Sequence, residues 1–281
     1  MSKTRKIWII VSASLVVFGI IIFGVVMSML EWNFAKLSTV KYETNIYEID
    51  EDFHNISIKT YTSDVTVLLS EDGKVKVECY ESEKEKHSVT VENDTLIVDI
   101  TNDRKWYDYI GIGVGGQKIT VYLPASEYGS LNIKDSTGDI KVDDLCVSSM
   151  ELSVTTGDIE ISDIKCRGDI KIGVSTGKMN VKNVECKNLT SSGSTGDTDM
   201  TGVIAKEKLD IKRTTGDVNL DGCDAGELCI KVTTGDVKGS LLSEKVFAVK
   251  TSTGDKDVPK TTSGGLCEIT TTTGDIIITI K

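Results

Sequence analysis

The sequence predicts an all-β protein, a parallel β-solenoid (β-helix) of 19–20-residue coils preceded by one N-terminal transmembrane helix. Three observations lead there. A Thr-Gly-Asp step returns at Gly138, Gly157, Gly177, Gly196, Gly216, Gly235, Gly254 and Gly274, with gaps of 19, 20, 19, 20, 19, 19 and 20. Apolar residues alternate with polar ones on both sides of each glycine. The run from Ile7 to Leu30 contains no charge.

A fixed period near 20 residues marks stacked coils, each too small to bury its apolar face alone. In the third repeat Ile170, Ile172 and Val174 alternate with Lys171 and Gly173, then Met179 and Val181 follow the turn. Period-two alternation means half-buried strands. A further apolar position falls seven residues after the glycine, at Leu145, Ile164, Val184, Val203, Cys223 and Leu242. Each coil is therefore read as two short strands, a weaker third segment, and a corner at the glycine, where a positive φ carries no Cβ penalty. Residues 129–281 form the regular solenoid of eight repeats. Residues 51–128 read as an irregular N-terminal β part of the same fold, with Ser63 where the glycine belongs and tight turns at Asp72-Gly73 and Asn93-Asp94. The segment Trp106–Gly116 interrupts it as a lateral loop or an N-terminal cap.

The charge-free run spans roughly 36 Å as a helix, enough to cross a bilayer. Lys3, Arg5 and Lys6 precede it. The positive-inside rule then makes residues 1–6 a cytoplasmic tail and 7–30 a single-pass signal anchor of the plasma membrane. Residues 31–50 are a juxtamembrane linker, and the C-terminal domain is extracytoplasmic. A cleaved signal peptide is the rival reading, but Met27-Ser28-Met29-Leu30 lacks small-residue cleavage character.

Net charge is −11, so residues 31–281, beyond the three N-terminal cations, carry −14. That argues against nucleic acid, which needs a basic stripe. The seven cysteines read as free buried thiols, with Cys146, Cys166 and Cys186 stacked at 20-residue intervals. A Cys146–Cys166 or Cys166–Cys186 disulfide is the alternative. Zinc is not expected, since only His54 and His87 are present and no finger-type Cys pair occurs. No metal and no cofactor is assigned. A calcium ladder through Asp197, Asp217, Asp236, Asp255 and Asp275 is the competing reading of the Asp column. The preferred one has each Asp accepting a corner amide, and Lys178 breaks the stripe.

Catalytic residues are not evident, and the protein is read as a non-enzyme. Asp103 and Asp108 beside Trp106 and Tyr107 form the one local grouping suited to a sugar. Outward lysines around Lys171 and Lys182 are the places to test binding. Ile276, Ile277, Ile278 and Ile280 put apolar side chains on both faces of the last strand, which suggests self-association through the C-terminal coil.

The Ser/Thr-Thr-Gly-Asp-Ile/Val repeats, the lead-in Ser63-Asp64-Val65 and the run Ile119-Thr120-Val121-Tyr122-Leu123-Pro124 resemble a bacterial family usually called "putative adhesin", a domain of unknown function. The resemblance covers roughly Phe53 to the C-terminus. It implies a membrane-anchored β-solenoid at the cell envelope, acting as an adhesin-like interaction surface toward an envelope or surface ligand. Some relatives occur beside envelope-stress signalling systems. They imply an alternative role as an accessory or sensor component acting through the membrane helix on another membrane protein. The resemblance supplies no catalytic residues.

Overall fold

The computed structural model describes residues 3–37, 40–101 and 116–281. The chain forms two compact units; one contains the N-terminal helix, the other comprises Thr44–Glu81, Glu85–Asn102 and Gly116–Lys281. The helix runs from Lys3 to Met29 and is long and apolar enough to cross a membrane. It begins four residues before the charge-free run, so all three N-terminal cations lie in its first turns.

The second unit is a parallel β-solenoid. Successive strands pair one coil apart: Ile159 faces Ile140 and Met179, and Ile170 faces Met150 and Leu189. Thr137, Thr156, Thr176, Thr195, Thr215 and Thr234 form one unbroken register column. Inward positions fill with aliphatics stacked like on like. Ile133, Leu152, Ile172, Ile211, Ile230 and Ile269 are essentially buried, and so are Ile140, Ile159, Met179, Val218, Val237 and Ile276. These columns join into one continuous core. Burial of each large aliphatic contributes about 1.5–3 kcal/mol, and a single coil offers too few of them to fold alone.

Stacking order departs from chain order at both ends. Residues 228–234 pair with 267–273, and 267–273 pair in turn with 247–253. Likewise Val237–Leu241 pairs with Ile276–Ile280, whose other side receives Lys256 and Asp257. The chain thus skips one layer, builds the outermost coil, and returns to fill the gap with its last residues. The beginning mirrors this. Asn55–Lys59 lies between Thr95–Val98 and Leu131–Lys134, and Ser63–Leu69 lies between Gln117–Leu123 and Ile140–Val142.

The last strand is therefore not the free edge its isoleucines suggest. Its inner side is paired along its length and its outer side at Ile276 and Ile277, where the edge passes to the coil 245–257. That coil and the residues just after it carry Lys250, Lys256, Pro259 and Lys260, residue types that blunt an edge. At the opposite end the first layer is covered by antiparallel strands. Val75–Ser82 runs against Gln117–Leu123, and Lys86–Glu92 against Thr95–Thr101. The reversal follows from the two-residue turn Asn93-Asp94, where both residues hold positive φ, 48° and 62°. Residues 75–92 are thus a hairpin-type cover and not eroded coils. Residues 106–115 of the expected insertion, and the grouping of Asp103 and Asp108 beside Trp106 and Tyr107, lie outside the described residues.

One register detail differs from the periodic reading. Leu241, not Leu242, pairs with Cys223 and is buried, while Leu242 is exposed. The ladder slips between Leu220 and Cys223, where Gly222 adds a residue without a counterpart.

Candidate functional site

Each corner glycine has positive φ, between 128° at Gly196 and 150° at Gly138. Gly177 shows the second constraint. A Cβ there would overlap the carbonyl oxygen of Gly157 in the preceding coil. The residue is fixed by close backbone approach as well as by conformation.

The Asp after each glycine spans to its neighbour. Asp158 N donates to Asp139 Oδ1 at 2.8 Å, and Lys178 N to Asp158 Oδ1 at 2.7 Å. The ladder resumes from Asp197, whose Oδ1 accepts from Asp217 N, and continues Asp217 to Asp236, Asp236 to Asp275 and Asp275 to Asp255, at 2.8–3.0 Å. Asp64 starts the run by accepting from Asp139 N. The Oδ1 atoms of Asp197, Asp217, Asp236 and Asp275 are committed to amides, a donor set that suits a carboxylate ladder. Lys238 and the Asp275 amide hold the Asp236 carboxyl below its ordinary range.

All seven cysteines are free. Cys166 and Cys186 share the buried register column that continues through Ala205 and Ala225. Cys146 does not join it: its partner is Lys165, and it is exposed. It lies eight residues after its glycine and the others nine, so it points to the opposite face. Burial pushes the Cys186 thiol up to about 12.

A cationic strip runs along the outward face. The positions four before each glycine stack as Ser192, Lys212, Lys231, Thr270 and Lys250. With Thr214, Thr233 and Thr272 they line a shallow groove of about 700 Å³ that includes one acid, Glu268. Asp210 lies 3.6 Å from Lys212. Among the described residues neither Lys231 nor Lys250 has an acid within ion-pair distance.

Arg213 lies at the floor of this groove, 4% exposed. Its Nε donates to Thr198 Oγ1 at 2.7 Å and Nη2 to Ser191 Oγ at 3.1 Å. Among the described residues no carboxylate pairs with it, and burial pulls the guanidinium below its ordinary value. Gly193, its register partner, makes the room, since a Cβ there would overlap Nη1.

Buried polar groups also gather in the N-terminal cover. Glu81 and His87 have fully buried side chains, with Glu81 Oε2 2.7 Å from His87 Nδ1 and 2.6 Å from the His87 amide. Asn45 Nδ2 donates to Glu81 Oε1. Burial, reinforced by Glu81, pushes the Cys79 thiol up to about 12. A second chain links Thr60, Ser63, Gln117 and Glu85.

The profile of the Toastrack DUF4097 family matches residues 53–168 and again residues 167–281. Together the two matches take in the whole solenoid. The chain belongs to the Toastrack DUF4097 family. Solved structures resemble it at low identity. A "putative adhesin" from Bacteroides fragilis NCTC 9343 is 14% identical, over 86% of this chain and 97% of that one, with TM-score 0.46. A "putative cell adhesion protein" from Clostridium sporogenes ATCC 15579 is 13% identical, over 86% and 100%, with TM-score 0.31. A "putative adhesin" from Parabacteroides distasonis ATCC 8503 is 12% identical, over 85% and 98%, with TM-score 0.40. No curated protein matches.

Within this Toastrack solenoid the lysines singled out by sequence are dispersed. Lys171 stands between Glu151 and Thr190, and Lys182 on another face between Ser162 and Thr201. The strip at Lys212, Lys231 and Lys250 has a signal that alignment on the glycines exposes, a Lys four residues before Gly216, Gly235 and Gly254. The Cys79–Glu81–His87 grouping has none, because it joins two strands of the irregular half.

Proposed function

We propose that this protein is a non-enzymatic binding protein of the bacterial cell envelope. Helix Lys3–Met29 anchors it in the plasma membrane, N-terminus in the cytoplasm and solenoid outside, as the three leading cations favour. Its ligand is an acidic polysaccharide held along the Lys212–Lys231–Lys250 strip. The observation that carries this reading is the strip itself: in a chain of net charge −11, three lysines, of which only Lys212 has an acid partner among the described residues, line up beside threonine hydroxyls. Ammonium groups recognise carboxylate or sulfate as point charges, and stacked hydroxyls hydrogen-bond sugar hydroxyls. A repeated surface matches a repeated polymer, and several weak contacts along one chain add through multivalency.

A non-enzymatic role agrees with the Asp column, whose carboxylates are engaged by backbone amides instead of facing each other across a cleft. The test is retention of the solenoid on uronate-containing and sulfated glycans. The variant K212E/K231E/K250E should lose at least about tenfold in affinity, given up to about 1 kcal/mol for each exposed charge contact. K171E/K182E should bind as the parent does. Unchanged binding by the triple variant overturns the proposal.

A further inference from the structure

We propose that Cys79, Glu81 and His87 form a binding site for one divalent metal ion of borderline softness, zinc by the chemistry of its donors. Among the described residues this is the one place where three such side chains converge, with one ligand-type atom from each within 4.8 Å of the others. All three residues are buried. Cys79 and Glu81 lie two apart on the strand Val75–Ser82 and so project from the same face, while His87 enters from the strand Lys86–Glu92.

The second observation is independent of that convergence. His87 Nε2 is buried and has no hydrogen-bond partner. Its other nitrogen faces Glu81 Oε2. Whether Nε2 carries a lone pair or a proton, it is a polar atom enclosed without a counterpart, which costs about 1–3 kcal/mol. An ion bound at Nε2 supplies the missing partner, and Glu81 then leaves Nδ1 to ligate it.

Charge points the same way. Glu81 is enclosed with no lysine or arginine paired to it among the described contacts. A thiolate, a carboxylate, a neutral imidazole and a divalent cation sum to zero, the condition a buried cluster needs. Thiolate selects zinc over magnesium or calcium, and imidazole and carboxylate are both accepted by it. Tetrahedral ligands on zinc stand about 3.2–3.7 Å apart, so binding requires side-chain shifts of about 1 Å. One tetrahedral position remains for a water or a further donor. The ion would join the strand that covers the first solenoid layer to the hairpin strand beside it, and so lock the N-terminal cover. No metal-dependent chemistry is implied.

The experiment uses the full chain in detergent, unfolded, stripped of metal, refolded with Zn2+ and dialysed. Elemental analysis should find close to one zinc per chain, and thermal unfolding should shift upward relative to protein refolded with chelator. Cys79→Ser and His87→Gln should each abolish both effects, while Cys146→Ser, which removes the exposed thiol, should leave them intact. A folded wild type that retains no zinc overturns the proposal, and so does zinc that persists in the Cys79→Ser and His87→Gln variants. Should those variants fail to fold, Co2+ in Cys146→Ser protein decides the matter. A thiolate-to-cobalt charge-transfer band with tetrahedral visible bands supports the site, and their absence, meaning Glu81 and His87 simply pair with each other, refutes it.

Discussion

Val237 pairs in register with Ile276, 39 positions further along the chain. The residue one repeat away, Lys256, instead flanks Ile276 on its far side. The start of the final strand is thus interior to the stack. Ile276→Ala should cost about 2–4 kcal/mol, as in a packed core, and should match Ile159→Ala in the middle of the stack. Urea unfolding of the two variants checks this; a loss below about 1 kcal/mol at Ile276 would indicate a frayed terminal strand.

Gly177 and Gly173 sit four residues apart in one coil but differ in what they tolerate. Gly177 has φ 146° and backbone where a Cβ would go, whereas a Cβ at Gly173 would meet Ser153 Oγ at 3.6 Å, an ordinary contact. Gly177→Ala should therefore destabilise by more than about 3 kcal/mol, and Gly173→Ala by less than about 1. Chemical denaturation of both variants provides the comparison.

Asp135 occupies an inward position in register with Val154, and burial pushes its carboxyl up to about 6. In the unfolded chain it titrates near 3.8. The native state therefore holds a proton the unfolded chain has released between those values, and stability must fall as pH rises through that window. The contribution is complete below about pH 4 and lost above about pH 6. Asp135→Asn should stabilise the protein by about 2–3 kcal/mol at pH 7 and make no difference at pH 3. Melting temperatures across pH 3–8 would show the two curves converging in acid.

Lys178 interrupts the Asp ladder, so the Asp197 amide lacks the carboxylate acceptor its counterparts have. Lys178→Asp should supply one and raise stability by about 0.5–1 kcal/mol, since a net hydrogen bond is worth about that much. In the other direction, Asp217→Ala should cost a similar amount and Asp217→Asn, which keeps an oxygen, much less. Differential scanning of the three variants orders them.

Arg213 tests the cost of a buried charge. Replacement by Met, which fills similar volume, should leave stability within about 1 kcal/mol of the parent or raise it. Arg213→Ala should lose about 2–4 kcal/mol by leaving a cavity beside Ser191 and Thr198.

The solenoid was legible in the sequence because Gly and Thr must recur wherever backbones close on each other, and because strand faces alternate strictly. Three things were not. Exchange of the last two coils leaves every period at 19 or 20, so no spacing records it; only the degraded coil at Lys256–Pro259 hints that it lies outermost. Cys146 keeps a 20-residue interval to Cys166 while its glycine is 19 away, and one residue of slip turns a side chain to the other face. The Cys79–Glu81–His87 convergence depends on antiparallel strands that follow no repeat.

The layer order also bears on how the chain is made. Synthesis proceeds from the N-terminus, and a repeat array ordinarily extends by adding each coil to the one before it. Here the coil 245–257 emerges before the strands that must separate it from Val237–Leu241. Until Gly265–Ile280 leaves the ribosome, the sides on which those two layers face each other stay unfilled, although Val237–Leu241 already pairs with Val218–Cys223 on its other side. Completion of these layers waits for Gly265–Ile280.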